Sequence, residues 1–194
     1  MKFISGLFLF TTCLFSGLVL NAQIKTPAAS PSSTVKSTVG LGEVTIEYSR
    51  PSMKGRTIFG DLVPFGKLWR TGANSATKVT FSDAATVGTT ELAKGTYAIY
   101  TIPNPNDWTV IFYKDLTKGG GLTDATINAD DVAAKFVVRP ATINPAVETF
   151  TFDITDLSNN GASIAIMWDK TLVKVPFTYK TDEAVMANIK AKMA

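Results

Sequence analysis

GTYAIYTIP at Gly95–Pro103 is followed, after Asn104-Pro105-Asn106, by DWTVIFYK at Asp107–Lys114. In a β-strand every second residue points to the same side, so Tyr97 and Ile99 share one face of the first segment and Ala98, Tyr100 and Ile102 the other. The second segment repeats the arrangement, with Trp108, Val110 and Phe112 against Ile111 and Tyr113. Neighbouring strands that are apolar on both faces are covered on both faces. Two explanations fit the second face. One is a central sheet position with a C-terminal helix packed over its back, which the pattern favours; the other is an aromatic platform for a ligand or a protein partner.

The same period of two extends in both directions. Val35, Ser37 and Val39 share a face, and after Gly40-Leu41-Gly42 so do Val44, Ile46 and Tyr48, so residues 34–48 read as a hairpin. Strand signals recur at Lys67–Thr71, Thr77–Ser82, Gly95–Pro103, Asp107–Lys114, Ala133–Pro140, Val147–Thr155, Ser163–Asp169 and Leu172–Tyr179. Phe150, Phe152 and Ile154 face one way while Thr149, Thr151 and Asp153 face the other, as in a half-buried strand. Asn160-Gly161 has the composition of a type I′ hairpin turn. Leu116–Asp131, with Gly119-Gly120-Gly121 and several aspartates, has no strand pattern and reads as a mobile surface loop. One helix is expected, at about residues 181–193, with Thr181 to cap it, Asp182 and Glu183 at its positive end, and Val185, Ile189 and Met193 four apart on one stripe. The expected fold is all-β and mainly antiparallel: a β-sandwich of about ten strands closed by one C-terminal α-helix.

Both ends of the chain are informative. Lys2 precedes an apolar run from Phe3 to Leu20, then Asn21-Ala22-Gln23, which is the order of a signal peptide cut after Ala22. Residues 23–33, rich in Ser, Pro and Ala, read as a flexible leader, and residues 34–194 as a single domain. The expectation is an exported protein, periplasmic or secreted, with no stable membrane insertion once the signal is removed. Taking residues 1–22 from the 194 leaves 172, long enough for one substantial core. Lys2 is lost with them, so 18 of the 19 basic side chains face 16 acidic ones. That small surplus does not make a nucleic-acid face.

The chain has no histidine, and its one cysteine, Cys13, lies in the signal segment. Such a mature chain has no Ser-His-Asp or Cys-His site and no imidazole or thiolate for an ordinary zinc site. The aspartates between Asp124 and Asp131 do not follow the EF-hand spacing, and Gly119–Gly121 is not followed by the Gly-Lys-Ser/Thr of a phosphate loop. No cofactor and no metal are expected. Asp153 and Asp156 near one hairpin, Asp130 and Asp131 in the loop, and Glu47 leave a carboxylate-dependent envelope hydrolase as an alternative, alongside solvated or turn-capping acids.

The long irregular segment after Arg50-Pro51 carries the densest signal. Pro51 stops the preceding strand, and between Arg50 and Arg70 five cations, Arg50, Lys54, Arg56, Lys67 and Arg70, stand against one acid, Asp61. Arginine forks match carboxylates, phosphates and sulfates; Trp69 offers a stacking face, and Ser52 and Asn74 neutral hydrogen bonds. The candidate ligand-binding set is therefore Arg50, Ser52, Lys54, Arg56, Lys67, Trp69, Arg70 and Asn74, for an anionic small molecule or a glycan. The competing reading is structural, because long cross-loops are often held by arginines donating to backbone carbonyls.

Glu47-Tyr48-Ser49-Arg50-Pro51-Ser52 with Lys54-Gly55-Arg56, Leu62-Val63-Pro64-Phe65-Gly66-Lys67, and Trp69-Arg70-Thr71-Gly72-Ala73-Asn74 resemble a family of exported bacterial proteins known as domain of unknown function 2911. Leu92, Gly95-Thr96-Tyr97-Ala98, Ile102-Pro103 and Trp108-Thr109-Val110-Ile111 fit as well. The resemblance covers essentially the mature chain. It implies export and a single domain, and brings no reaction, cofactor or catalytic residue. The function expected is that of an exported, non-catalytic domain that binds an anion through its basic segment, with a hydrolase or a protein-interaction module as alternatives.

Overall fold

Two antiparallel sheets face each other in the computed structural model, which describes residues 26–193. The expected signal peptide, its cleavage site and Cys13 lie outside those residues. β1 (Ser32–Val39), β2 (Gly42–Ser49), β3 (Thr77–Phe81), β6 (Gly95–Pro103), β7 (Trp108–Tyr113) and β8 (Val132–Val138) form a six-stranded sheet in the order β1-β2-β3-β6-β7-β8. The second sheet has the order β5-β4-β10-β9, built from β4 (Ala85–Val87), β5 (Thr90–Leu92), β9 (Ala141–Thr155) and β10 (Gly161–Tyr179). A helix, α1, spans Thr181–Met193. This is the expected mainly antiparallel sandwich of ten strands with one C-terminal helix.

The core lies between the sheets. Val44, Ile46, Val79, Ile99, Val110 and Phe112 from one sheet meet Phe150, Ile164, Val173, Val175 and Phe177 from the other, each at most 1% exposed. Period-two patterning accounts for this: Phe150, Phe152 and Ile154 do point into the core as a set. The β1–β2 turn consists of Gly40 and Leu41, with Val39 paired to Gly42. Gly40 sits at φ 59°, the first central position at which a II′ hairpin turn wants glycine.

The ten strands are not all the ten expected. Lys67–Thr71 is not a strand, although Trp69 makes an isolated antiparallel bridge to Thr101. Ser163–Asp169 and Leu172–Tyr179 are one strand, β10, continuous through an irregularity around Asp169, whose φ is 52°. β4 and β5 were not anticipated; at three residues each they are too short to display a period. Asn160-Gly161 is not a two-residue turn. The β9–β10 connection runs from Asp156, at φ 53°, to Asn160, and is closed by Ser158 N donating to Gly161 O at 2.8 Å. Gly161 is instead required by close approach, since a Cβ there would lie 2.8 Å from the carbonyl oxygen of Phe177.

The second face of β6 and β7 is covered, but not by the helix. Tyr100, Ile111 and Tyr113 are at most 1% exposed beneath the segment 116–131, which contributes Leu116, Leu122 and Ile127 to their cluster. The expected mobile loop is thus a second apolar layer, and the alternative of an exposed aromatic platform does not hold, because these aromatics are buried. Tyr100 Oη donates to Gly119 O at 2.6 Å and Tyr113 Oη accepts from Asn128 N at 3.2 Å, so both phenols tie the segment down. α1 closes nothing: Thr181 is its one buried residue, and Val185, Ile189 and Met193 are exposed.

Tyr179, at the end of β10, donates its hydroxyl to the Glu43 carbonyl at 2.6 Å and is 5% exposed. Burial first, then the charge of Asp83, pushes this phenol up to about 12 from its ordinary 10.0. The folded state therefore holds the proton more tightly than the unfolded chain does. The resulting stabilisation is complete below about pH 10 and declines as pH rises through about 12. Denaturation midpoints measured across that window are expected to fall less steeply for Tyr179→Phe than for the wild type. Equal slopes would show that Tyr179 is not the titrating group.

Candidate functional site

The segment between β2 and β3 passes from one sheet to the other and returns. Pro51 O accepts from Phe150 N at 2.8 Å and Met53 N donates to Glu148 O at 2.9 Å, so residues 51–53 run along the outer edge of β9. The chain then rejoins the six-stranded sheet, where Gly66 N donates to Pro103 O and Trp69 exchanges both backbone hydrogen bonds with Thr101. From there residues 70–76 loop out and are closed by Thr77 N donating to Arg70 O at 3.2 Å. Proline and glycine dictate this course: Pro51 cannot donate to the ladder, and Gly72 has φ 151°. A Cβ at Gly72 would also press on Ser49 O at 3.3 Å.

The crossing leaves a cleft of about 540 Å³ at this end of the sandwich, within the usual size of a small-molecule site. Its walls come from Lys54 and Arg56, from Leu68–Arg70, from Gly120, Leu122 and Thr123 of the covering segment, and from Trp168 of β10. Ala29 and Ser30 border it, and Ser30 is held there by Asn74 Nδ2 donating to its carbonyl at 3.3 Å.

Of the eight residues singled out by sequence, Ser52, Lys54, Arg56, Trp69 and Arg70 line the cleft; Arg50, Lys67 and Asn74 do not. Arg50 is a brace, its Nε donating to Phe150 O at 3.2 Å and Nη2 to Thr151 Oγ1 at 2.9 Å. Asn74 pins the leader and donates to Ser49 Oγ at 3.2 Å, while Lys67 is exposed outside the cleft. Arg56 donates to the Met53 and Ser52 carbonyls at 2.9 and 2.6 Å. Arg70 Nη1 donates to Gly120 O at 3.2 Å. The structural reading of the arginines thus holds fully for Arg50 and in part for Arg56 and Arg70, which keep further N–H donors.

Sequence reasoning did not anticipate Trp168, Leu68, Leu122 or Thr123. Trp168 looked like an ordinary strand residue, and Leu122 lies in a segment without periodicity. Trp69 and Trp168 are stacked at 6.1 Å with 17° between their planes, and Phe150 packs edge-on to both. Both indole N–H groups are engaged, Trp69 with Gly72 O at 3.1 Å and Trp168 with Glu148 O at 3.2 Å.

The charged side chains of the lining are of one sign, with two carboxylates just outside it: Glu148 Oε1 accepts from Lys54 N at 2.9 Å and Asp124 Oδ1 from Leu68 N at 3.1 Å. No carboxylate is among the residues lining the cleft, and among the described residues Lys54, Arg56 and Arg70 form no ion pair. The acids considered for hydrolysis lie elsewhere. Asp156 binds Lys174 Nζ at 2.8 Å, and that hydrogen bond, followed by one from Ser163, holds its carboxyl below the usual range. Asp153 accepts from the backbone N of Ile154, and Asp131 from Asn128 Nδ2. Among the described residues no three His, Cys, Asp or Glu side chains gather as a metal-binding group.

A family model described as Protein of unknown function (DUF2911) matches residues 30–177, which takes in both sheets but for the last two residues of β10, and all of the cleft except Ala29. No curated protein and no solved structure matches the chain.

Proposed function

The chain belongs to the DUF2911 family, whose description names no activity, and from that premise we propose that its cleft binds an anionic small molecule or glycan without transforming it. The observation that carries this reading is the charge of the lining: three cations and no acid, beside the half-buried face of Trp69. Guanidinium and ammonium groups without carboxylate partners attract an anion, and a cleft of one sign concentrates the field. Export through the segment 1–22 is part of the same proposal. Among the described residues no helix is long and apolar enough to cross a membrane.

The hydrolase alternative needs two carboxyls facing one bond, and the cleft lining contains none. The interaction-module alternative drew on the two-faced aromatic strands, and those aromatics are buried within the chain itself.

The test is a thermal-shift screen of the purified protein against sugar acids, phosphates and sulfated and neutral glycans, at low and high salt. A ligand at a hundredfold excess over its Kd adds about 2.7 kcal/mol of stability, and the gain for this site should fade with salt. Lys54→Gln is the cleanest variant, because the side chain of Lys54 makes no hydrogen bond or ion pair among the described residues; only its backbone N is engaged, with Glu148 Oε1. It is expected to leave stability within about 0.5 kcal/mol of wild type while reducing the ligand shift. Arg70→Ala should abolish most of the shift and also loses the contact to Gly120. A screen in which no anion raises the melting temperature would return the basic segment to a purely structural role.

A further inference from the structure

The cleft is rich in side-chain donors, poor in side-chain acceptors and apolar at its base, and this combination narrows the ligand. Lys54, Arg56 and Arg70 supply ionic donors. The side-chain acceptors in the lining are the hydroxyls of Ser30, Ser52 and Thr123, with no carboxylate or carboxamide. Two of those are already engaged, Ser52 with Thr149 Oγ1 at 2.9 Å and Thr123 with Thr126 Oγ1 at 3.0 Å. The carbonyls of Ser52, Gly72 and Gly120 are taken by Arg56, Trp69 and Arg70.

Each hydroxyl of a sugar brings a proton to donate beside its acceptor lone pairs, and a lining without carboxylate or carboxamide side chains matches those protons poorly. The indoles cannot compensate, because an indole N–H only donates and both are already given to the Gly72 and Glu148 carbonyls, which leaves ring carbon for a ligand. Leu62, Val63, Leu68 and Leu122 continue that apolar wall. A bare inorganic anion would meet the exposed cations but leave the apolar base unused.

Resting on the reading of the cleft as an anion site, we infer that its ligand is an amphipathic organic anion: a carboxylate, sulfonate or phosphate head on a planar or aliphatic body. The head lies among Lys54, Arg56 and Arg70, and the body against Trp69 and Leu122.

Calorimetric titration with naphthalene-2-sulfonate, inorganic sulfate, glucuronate, a sulfated disaccharide and 2-naphthalenemethanol separates the contributions. Naphthalene-2-sulfonate is expected to bind at least about tenfold more tightly than sulfate, glucuronate or the neutral alcohol, the factor gained by burying roughly 60 Å² of apolar surface. Lys54→Gln should weaken it, and so should raising the salt. If sulfate, glucuronate or the sulfated disaccharide binds as well or better, with the same dependence on Lys54, the amphipathic inference falls while the anion site stands. Equal binding of the neutral alcohol, or an affinity indifferent to Lys54→Gln, overturns the inference by removing the charged head or the location. If no compound binds, the inference and the reading of the cleft fall together.

Discussion

Trp168→Ala is expected to destabilise the protein by about 3–5 kcal/mol, the range for emptying a buried tryptophan site. Trp168 is 2% exposed, stacks on Trp69 and packs edge-on to Phe150 at 5.5 Å and Phe59 at 6.3 Å. Its indole N–H also ties β10 to the Glu148 carbonyl on β9. In a chain of this length the loss corresponds to a fall in melting temperature of roughly 6–20 °C. Trp168→Phe keeps an aromatic partner for Trp69 and should lose less. Urea denaturation of both variants measures the effect. A loss under about 1 kcal/mol for the alanine variant would mean that the aromatic base of the cleft is not part of the cooperative core.

Leu122→Asp should have the second largest effect and a different character. Leu122 is 6% exposed and packs into the cluster of Ala76, Ala98, Tyr100, Ile111 and Tyr113. A carboxylate there has no partner, and leaving it buried costs more than releasing the segment that carries it. The segment 116–131 is therefore expected to lift off, at a cost of about 2–3 kcal/mol for the apolar contacts given up. The cluster between the sheets would survive. Limited proteolysis should cut between Leu116 and Asp131 in the variant and not in the wild type. A second readout is Tyr100, whose hydroxyl pKa is raised chiefly by burial and then by the charges of Tyr113 and Asp115. Release of the segment should bring it back toward the ordinary phenol value in a spectrophotometric titration. Because Gly120, Leu122 and Thr123 form one wall of the cleft, ligand affinity should fall as well. A variant that stays protease-resistant with Tyr100 unchanged would fail the prediction.

Much of the architecture is legible residue by residue. The two-faced pattern of β6 and β7 correctly placed Tyr97, Ile99, Trp108, Val110 and Phe112 in one cluster and Ala98, Tyr100, Ile111 and Tyr113 in another. What it could not show was the identity of the covering layer. The stripe Val185, Ile189, Met193 promised a helix packed on the sheet, yet those residues are exposed, while Leu122, in a glycine-rich stretch with no period, is buried. Periodicity reports how an element faces a core and says nothing about which distant segment completes it.

The candidate site divides in the same way. Composition alone marked the Arg50–Arg70 segment as unusually basic, and five of the eight residues taken from it and its flank border one cleft. The sandwich is legible in the chain alone, because alternation of apolar residues in β-strands allows only one face or two to be buried, and so is the local charge excess, because that is a count over neighbours in the chain. That Arg50 is a brace to β9 and Arg70 a wall of the cleft, that Trp168 stacks on Trp69, and that no carboxylate lines the cleft emerge only in three dimensions. These are relations between residues fifty to about a hundred positions apart, and they arise where the chain crosses between sheets, a path set by long-range hydrogen bonds and packing that no local pattern encodes.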